Sequence, residues 1–200
     1  GKDLNSNPAQ SPSRWVINFF DWDEKKCQQE YPECYKILED KAKPERTSQS
    51  DEVSEYPWWK FWRPRLELYR TIAPLDRVMV ASRVTKHLSL DFSKKGRVFD
   101  VAMNVIAYEN MYYFFFLQSS IHTHWAWKNA STLESRIRYI NKDCIDTFPF
   151  PQNLTTETET TLEQIGETYH EFRRQLMLKM QLGLTKTYNQ FHNPDLTVVE

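Results

Sequence analysis

Glycine is scarce, with four in 200 residues, so the chain has no glycine-rich loop to cradle a nucleotide or a cofactor phosphate. Cysteine is equally sparse. Cys27, Cys34 and Cys144 make an odd count with no CxxC pair, which argues against a disulfide framework or a thiolate zinc site and fits a reduced compartment. Long hydrophobic runs are missing too: the longest, Met111 to Leu117, falls far short of the roughly 20 residues a membrane span needs. No basic-then-apolar leader precedes the first aromatic cluster. The expectation is a cytoplasmic, soluble protein with no membrane partner. Net charge is almost absent, at -1, but that average conceals a strong segregation.

From Lys60 to Arg97 ten Lys/Arg face three acids. The flanks are acidic: Asp21 to Glu55 carries eleven acids and six bases, and Asp143 to Phe172 carries seven acids and no Lys or Arg. The basic run opens on Pro57-Trp-Trp-Lys60-Phe-Trp-Arg63-Pro-Arg65. A basic patch interleaved with aromatics is the electrostatic footprint of a nucleic-acid surface, and acidic flanks restrain non-specific affinity, which scales with the phosphates neutralised.

Proline and hydrophobic spacing divide the chain. Residues 1–13 read as a flexible lead-in. Residues 14–56 read as a helical connector whose two short helices, split by Pro32, end before Pro44, with a linker from Glu45 to Glu55. Residues 57–151 read as a basic, strand-rich domain whose charge suits nucleic-acid recognition. Within it, Leu66 to Ile72 is helical, and strands are predicted at Val78–Ala81, Leu88–Phe92 and Phe99–Val105, the last two joined by a turn at Lys94-Lys95-Gly96. Glu109 to Lys128 reads as one buried helix, Ser135 to Ile140 as a further strand, and Phe148-Pro-Phe-Pro151 as a rigid hinge. Residues 152–200 read as a helical segment. The Thr160-x-x-Glu163 capping box starts a helix that Gly183 stops, and Leu162, Ile165, Tyr169, Phe172, Leu176 and Met180 form its apolar stripe, which should pack on a neighbouring element. The fold class is α+β: helical connector, central twisted antiparallel sheet with a buried helix, and a long C-terminal amphipathic helix.

Several motifs occur in a fixed order: Arg14-Trp-Val-Ile-Asn18-Phe, Lys43-Pro-Glu-Arg46, Trp58-Trp59-x5-Pro64-Arg65-x3-Tyr69, Arg77-Val-x-Val-x-x-Arg83-Val, His124-x-Trp-x5-Ser131, Arg138-Tyr-x5-Cys144-x3-Phe148-Pro-Phe-Pro151 and Gly183-Leu-Thr-Lys-Thr-Tyr-Asn-x-Phe-His192. Together they resemble the region that follows the methyltransferase domain in type IIG/IIL restriction-modification enzymes of the MmeI kind and in related adenine-specific DNA methyltransferases. The resemblance implies a target recognition domain that reads double-stranded DNA. It also implies an upstream methyltransferase domain in the same polypeptide, which would use S-adenosylmethionine, and magnesium (Mg2+) where an endonuclease accompanies it.

No catalytic motif of its own is visible in the chain, and neither a cofactor nor a metal is expected in it. Asn193-Pro194-Asp195-Leu196 lacks the second proline and the stacking aromatic of an adenine-gripping loop and reads as a turn. Glu24-x-Lys26 and Glu39-x-Lys41 match a nuclease only by letter, on charged helices. His122-x-His124 puts two imidazoles on different faces of a helix, which suits core packing or one DNA contact better than metal. The DNA-binding candidates are Lys60, Arg63, Arg65, Arg83, Thr85, Lys86, His87, Lys94, Lys95, Arg97, Arg136 and Arg138. Arg83 to His87 would reach base edges, and Lys94 to Arg97 would clamp the backbone. The tryptophans are expected to be packing anchors. The alternative is a docking module whose basic block pairs with its acidic flanks or with another protein, without DNA readout.

Overall fold

The structure, a computed structural model, describes residues 1–196. The chain forms two compact units, residues 14–73 and residues 1–13 together with 74 onward.

The 14–73 unit is helical. α2 (Glu24–Glu30) starts at Asp23, whose carboxylate accepts from the Lys26 amide at 2.8 Å. Pro32 opens α3 (Pro32–Thr47) at its first turn, where no amide is needed. The expected stop before Pro44 does not occur: α3 runs on to Thr47, because Thr47 Oγ1 bonds the Lys43 carbonyl at 3.0 Å and Arg46 donates to the Lys60 carbonyl at 3.0 Å. Part of the predicted linker is also helical, as α4 (Asp51–Ser54). α5 (Leu66–Ile72) ends ahead of Pro74. The core is Phe19, Cys27 and Tyr35 with Trp58 and Trp59 packed on it, and Trp59 Nε1 donates to the Trp22 carbonyl at 3.1 Å. These two tryptophans are packing anchors.

In the other unit, the expected lead-in contains α1 (Lys2–Ser6), with Leu4 buried. Its backbone lies so close to Gly183 that a Cβ there would come within 2.4 Å of Ser6. Gly183 is required for that approach. It does not stop the long helix, which ends earlier at Gln181 in the left-handed region.

Two three-stranded antiparallel sheets follow. The first has the order β3-β1-β4, from β1 (Arg77–Ser82), β3 (Leu90–Lys94) and β4 (Met103–Ile106). Gly96 takes the predicted positive φ, 78°, but the turn does not join paired neighbours. β1 is buried at every position from Val78 to Ser82, on both faces, so it takes the centre and its partners flank it. The second sheet has the order β2-β6-β5, from β2 (Val84–Thr85), β5 (Ser131–Leu133) and β6 (Arg136–Arg138). Arg83 hinges the two sheets: its amide bonds the Ala102 carbonyl and its carbonyl accepts from the Tyr139 amide, both at 2.8 Å.

The predicted buried helix is two helices, α6 (Met111–Leu117) and α7 (Ser120–Asn129). Ser119 breaks it, because its hydroxyl caps α7 by accepting from the His122 amide at 3.2 Å. A single turn, α8 (Asn141–Cys144), precedes Phe148, which is buried in the core. α9 (Thr156–Met180) begins a turn earlier than the Thr160 box implied, capped by Thr155, and α10 (Leu184–Phe191) follows. Gly166 seats α9 on α6, where a Cβ would lie 2.9 Å from the Met111 carbonyl. The core gathers Met79, Leu90, Phe114, Leu117, Ile137, Tyr139 and Phe148 from sheets and helices. The expected α+β class and long C-terminal helix are both present. Among the described residues no helix is long and apolar enough to cross a membrane.

Candidate nucleic-acid interface

The basic run is divided between the two units. Lys60, Arg63 and Arg65 belong to the 14–73 unit. Lys60 donates to the Asp21 carbonyl at 3.0 Å. Arg63 lies 5.4 Å over the Trp62 ring and 4.0 Å from Glu52, and Arg65 turns into the left-handed region to start α5.

Lys94, Lys95 and Arg97 stand at the opposite end of β1 from Arg83, since Lys94 pairs with Arg77 across the ladder. At about 3.3 Å per residue that separation is about 20 Å. Lys95 bonds Asp76 at 2.6 Å. This hydrogen bond and the paired charge hold the Asp76 carboxyl below its ordinary value and the Lys95 ammonium above its own. Arg97 donates to Ser93 Oγ at 3.3 Å. Lys94 opens on a groove shared with Asp76, Arg77, Glu109, Glu163 and Glu167. Carboxylates outnumber cations in this groove, a setting that repels phosphate.

The Arg83–His87 segment divides by residue. Thr85 faces inward with Ile137 and its hydroxyl bonds the His87 carbonyl at 2.8 Å. His87 is half-buried and stacked on His192, rings 4.4 Å apart and 6° from parallel. Burial, with the charges of His192 and Lys86, lowers its pKa. Arg83 and Lys86 remain exposed.

Arg136 and Arg138 occupy β6, the central strand of the second sheet, on either side of Ile137, which is fully buried. The pleat therefore turns both guanidinium groups outward on one face. Register brings Ser131, Leu133 and Val84 to the same face, and Lys86 lies exposed in the bend that follows β2. Arg83, in line with Tyr139, sits at the edge between the sheets. Arg136 is paired with Glu134 at the tip of the β5–β6 hairpin. All three residues of β5 are exposed, so the β5–β6 hairpin is open to solvent along its outer strand. A two-stranded ribbon is narrow enough for the major groove of duplex DNA. The exposed hairpin was not legible as a reading element in the sequence, because nothing in Ser131 to Leu133 distinguishes it from a loop.

The sequence also hid a buried polar network behind the first sheet. Arg173 of α9 donates to the Leu90 carbonyl at 2.7 Å, to Asp91 at 3.1 Å and to Gln118 at 3.2 Å, and His170 meets Asp91 at 2.9 Å. Burial alone would raise the Asp91 pKa, but the His170 bond and the Arg173 charge outweigh it and hold the carboxyl below its ordinary value. The available signal was Gly166, Arg173 and Met177 falling on one helical face.

The two histidines considered for metal do not converge on one. His122 is buried against the Tyr139 hydroxyl at 2.8 Å, and burial takes its pKa down to about 4. His124 Nδ1 lies 2.7 Å from the Ser120 carbonyl of its own helix. Among the described residues no group of three or more His, Cys, Asp or Glu could hold a metal ion. Asn193 forms a turn, with Leu196 donating to its carbonyl at 3.2 Å.

Comparison with known proteins gives one family. Neither the curated proteins nor the solved structures contain a match. The model of the family described as MmeI, target recognition domain, matches residues 9–152, a span that includes the 14–73 unit and both sheets. The chain belongs to the MmeI target recognition domain family.

Proposed function

We propose that the chain reads the sequence of duplex DNA through the outer face of the β2-β6-β5 sheet. In this reading it serves an adenine-N6 methyltransferase domain of the same polypeptide and has no catalytic activity by itself. The observation that carries the reading is the convergence of Arg136 and Arg138 on one solvent face, backed by the single buried Ile137, with Arg83 at its edge and Lys86 exposed in the bend after β2. Arginine can contact guanine O6 and N7 in bidentate fashion, and Ser131 and Glu134 add hydroxyl and carboxylate partners for neighbouring bases. Lys94, Lys95 and Arg97 take a lesser, backbone role. S-adenosylmethionine would be bound by the methyltransferase domain, and Mg2+ by an endonuclease domain where one is present.

A salt titration of duplex binding tests the reading. The log of affinity should fall linearly with log salt, with a slope near -0.9 for each phosphate neutralised. Absence of duplex binding even at low salt would reject DNA readout in favour of a docking module. Methyl transfer by the isolated chain would reject its non-catalytic role.

A further inference from the structure

The apolar stripe of α9 is not its buried face. The residues α9 buries are Gly166, Arg173 and Met177. The stripe lies about a quarter-turn away, and its larger members are open to solvent: Ile165 48%, Tyr169 41%, Phe172 65%, Leu176 38% and Met180 50%. From Leu162 to Leu176 the spacing alternates three and four, the a/d pattern of a coiled-coil seam. The helix is about 37 Å long at 1.5 Å per residue. An exposed apolar face of this extent on a soluble helix marks an interaction surface.

Charge along α9 selects the occupant. Its first half carries Glu157, Glu159, Glu163 and Glu167 with no base, whereas from Phe172 onward its exposed charges are Arg174 and Lys179, with no acid. A second copy of α9 in antiparallel orientation sets acidic half against basic half and opposes the two helix dipoles favourably. A parallel copy sets like against like. We infer that α9 pairs antiparallel with α9 of a second copy of this chain, with Ile165 opposite Leu176 and Tyr169 opposite Phe172 across the seam. This pairing is independent of the DNA reading, since it uses residues beyond the span of the family match.

The mass of the 200-residue chain, followed by sedimentation velocity over a concentration series, tests the inference. The expected result is a reversible dimer that Phe172→Glu converts to a monomer with an unchanged circular dichroism spectrum, because Phe172 packs against solvent in the single copy. Orientation is read by cross-linking in a Cys34→Ser background. Chains carrying Ile165→Cys should link to chains carrying Leu176→Cys and not to themselves. A monomer at every concentration, a dimer that survives Phe172→Glu, or self-linking of the Ile165→Cys chain would each overturn the inference. The first of these outcomes would leave the stripe to another domain, such as a methyltransferase.

Discussion

The β3-β1-β4 and β2-β6-β5 sheets meet at Arg83, yet they spend their side chains in opposite ways. In the first, β1 is buried from Val78 to Ser82, and β3 buries Leu90, Asp91 and Ser93. Its polar residues are answered internally by Arg173 and His170. In the second, Ile137 is the one buried strand residue among those described, and the rest of β2, β5 and β6 is half or fully exposed. A sheet with a single anchor can change its outer residues at little cost to stability. A recognition surface needs that freedom, and the buried sheet supplies the rigidity behind it.

This contrast breaks most readily at Arg173. Arg173→Leu should leave Asp91 buried without its guanidinium partner and destabilise the fold by about 3–5 kcal/mol in urea denaturation. DNA sequence preference should persist wherever the variant is still folded. Loss of preference without loss of stability would erase the division between scaffold and reader.

Next in size is a pH effect on the scaffold alone. His122 has a native pKa of about 4 against an ordinary 6.5, so between those values the unfolded chain binds a proton that the folded chain refuses. Stability therefore falls as pH drops from 6.5 to 4, by about 3 kcal/mol in all. Denaturation curves across that window measure it, and His122→Gln should flatten them.

On the exposed sheet the effect should be smaller in energy and sharper in kind. Arg138→Ala should relax discrimination at one base pair by about 1–3 kcal/mol, read by competition between single-substitution duplexes, with an unchanged melting temperature. Equal weakening for every duplex would make Arg138 a phosphate contact. The smallest expected change is that of Lys94→Ala. Set among carboxylates, Lys94 should contribute a slight and sequence-independent share of binding. A large loss there would move the interface to the far end of β1.

Local spacing carried much of this architecture. Pro32 marked a helix start, Gly96 a turn, and the apolar Val78–Ala81 run a strand. Helix ends were less legible. Thr155 and Ser119 act as caps only because the chain arrives there in an extended conformation, and a capping side chain competes with many similar neighbours. The interface was half legible. Arg83, Lys86, Arg136 and Arg138 stood out as cations, but so did Lys60 and Lys95, whose partners Asp21 and Asp76 lie 39 and 19 positions away in the chain.

The sequence by itself determined the kinds of element, the segregated charge and the family, because these depend on residue type and short spacing. Tertiary structure alone decided which face of each element is turned inward. The stripe on α9 and the alternation in β6 each fit two faces, and a strand shifted by one residue exchanges them all. The choice was made by distant partners: Asp91 and Leu90 drew Arg173 inward, and the core around Phe114 and Tyr139 took Ile137, leaving Arg136 and Arg138 in solvent.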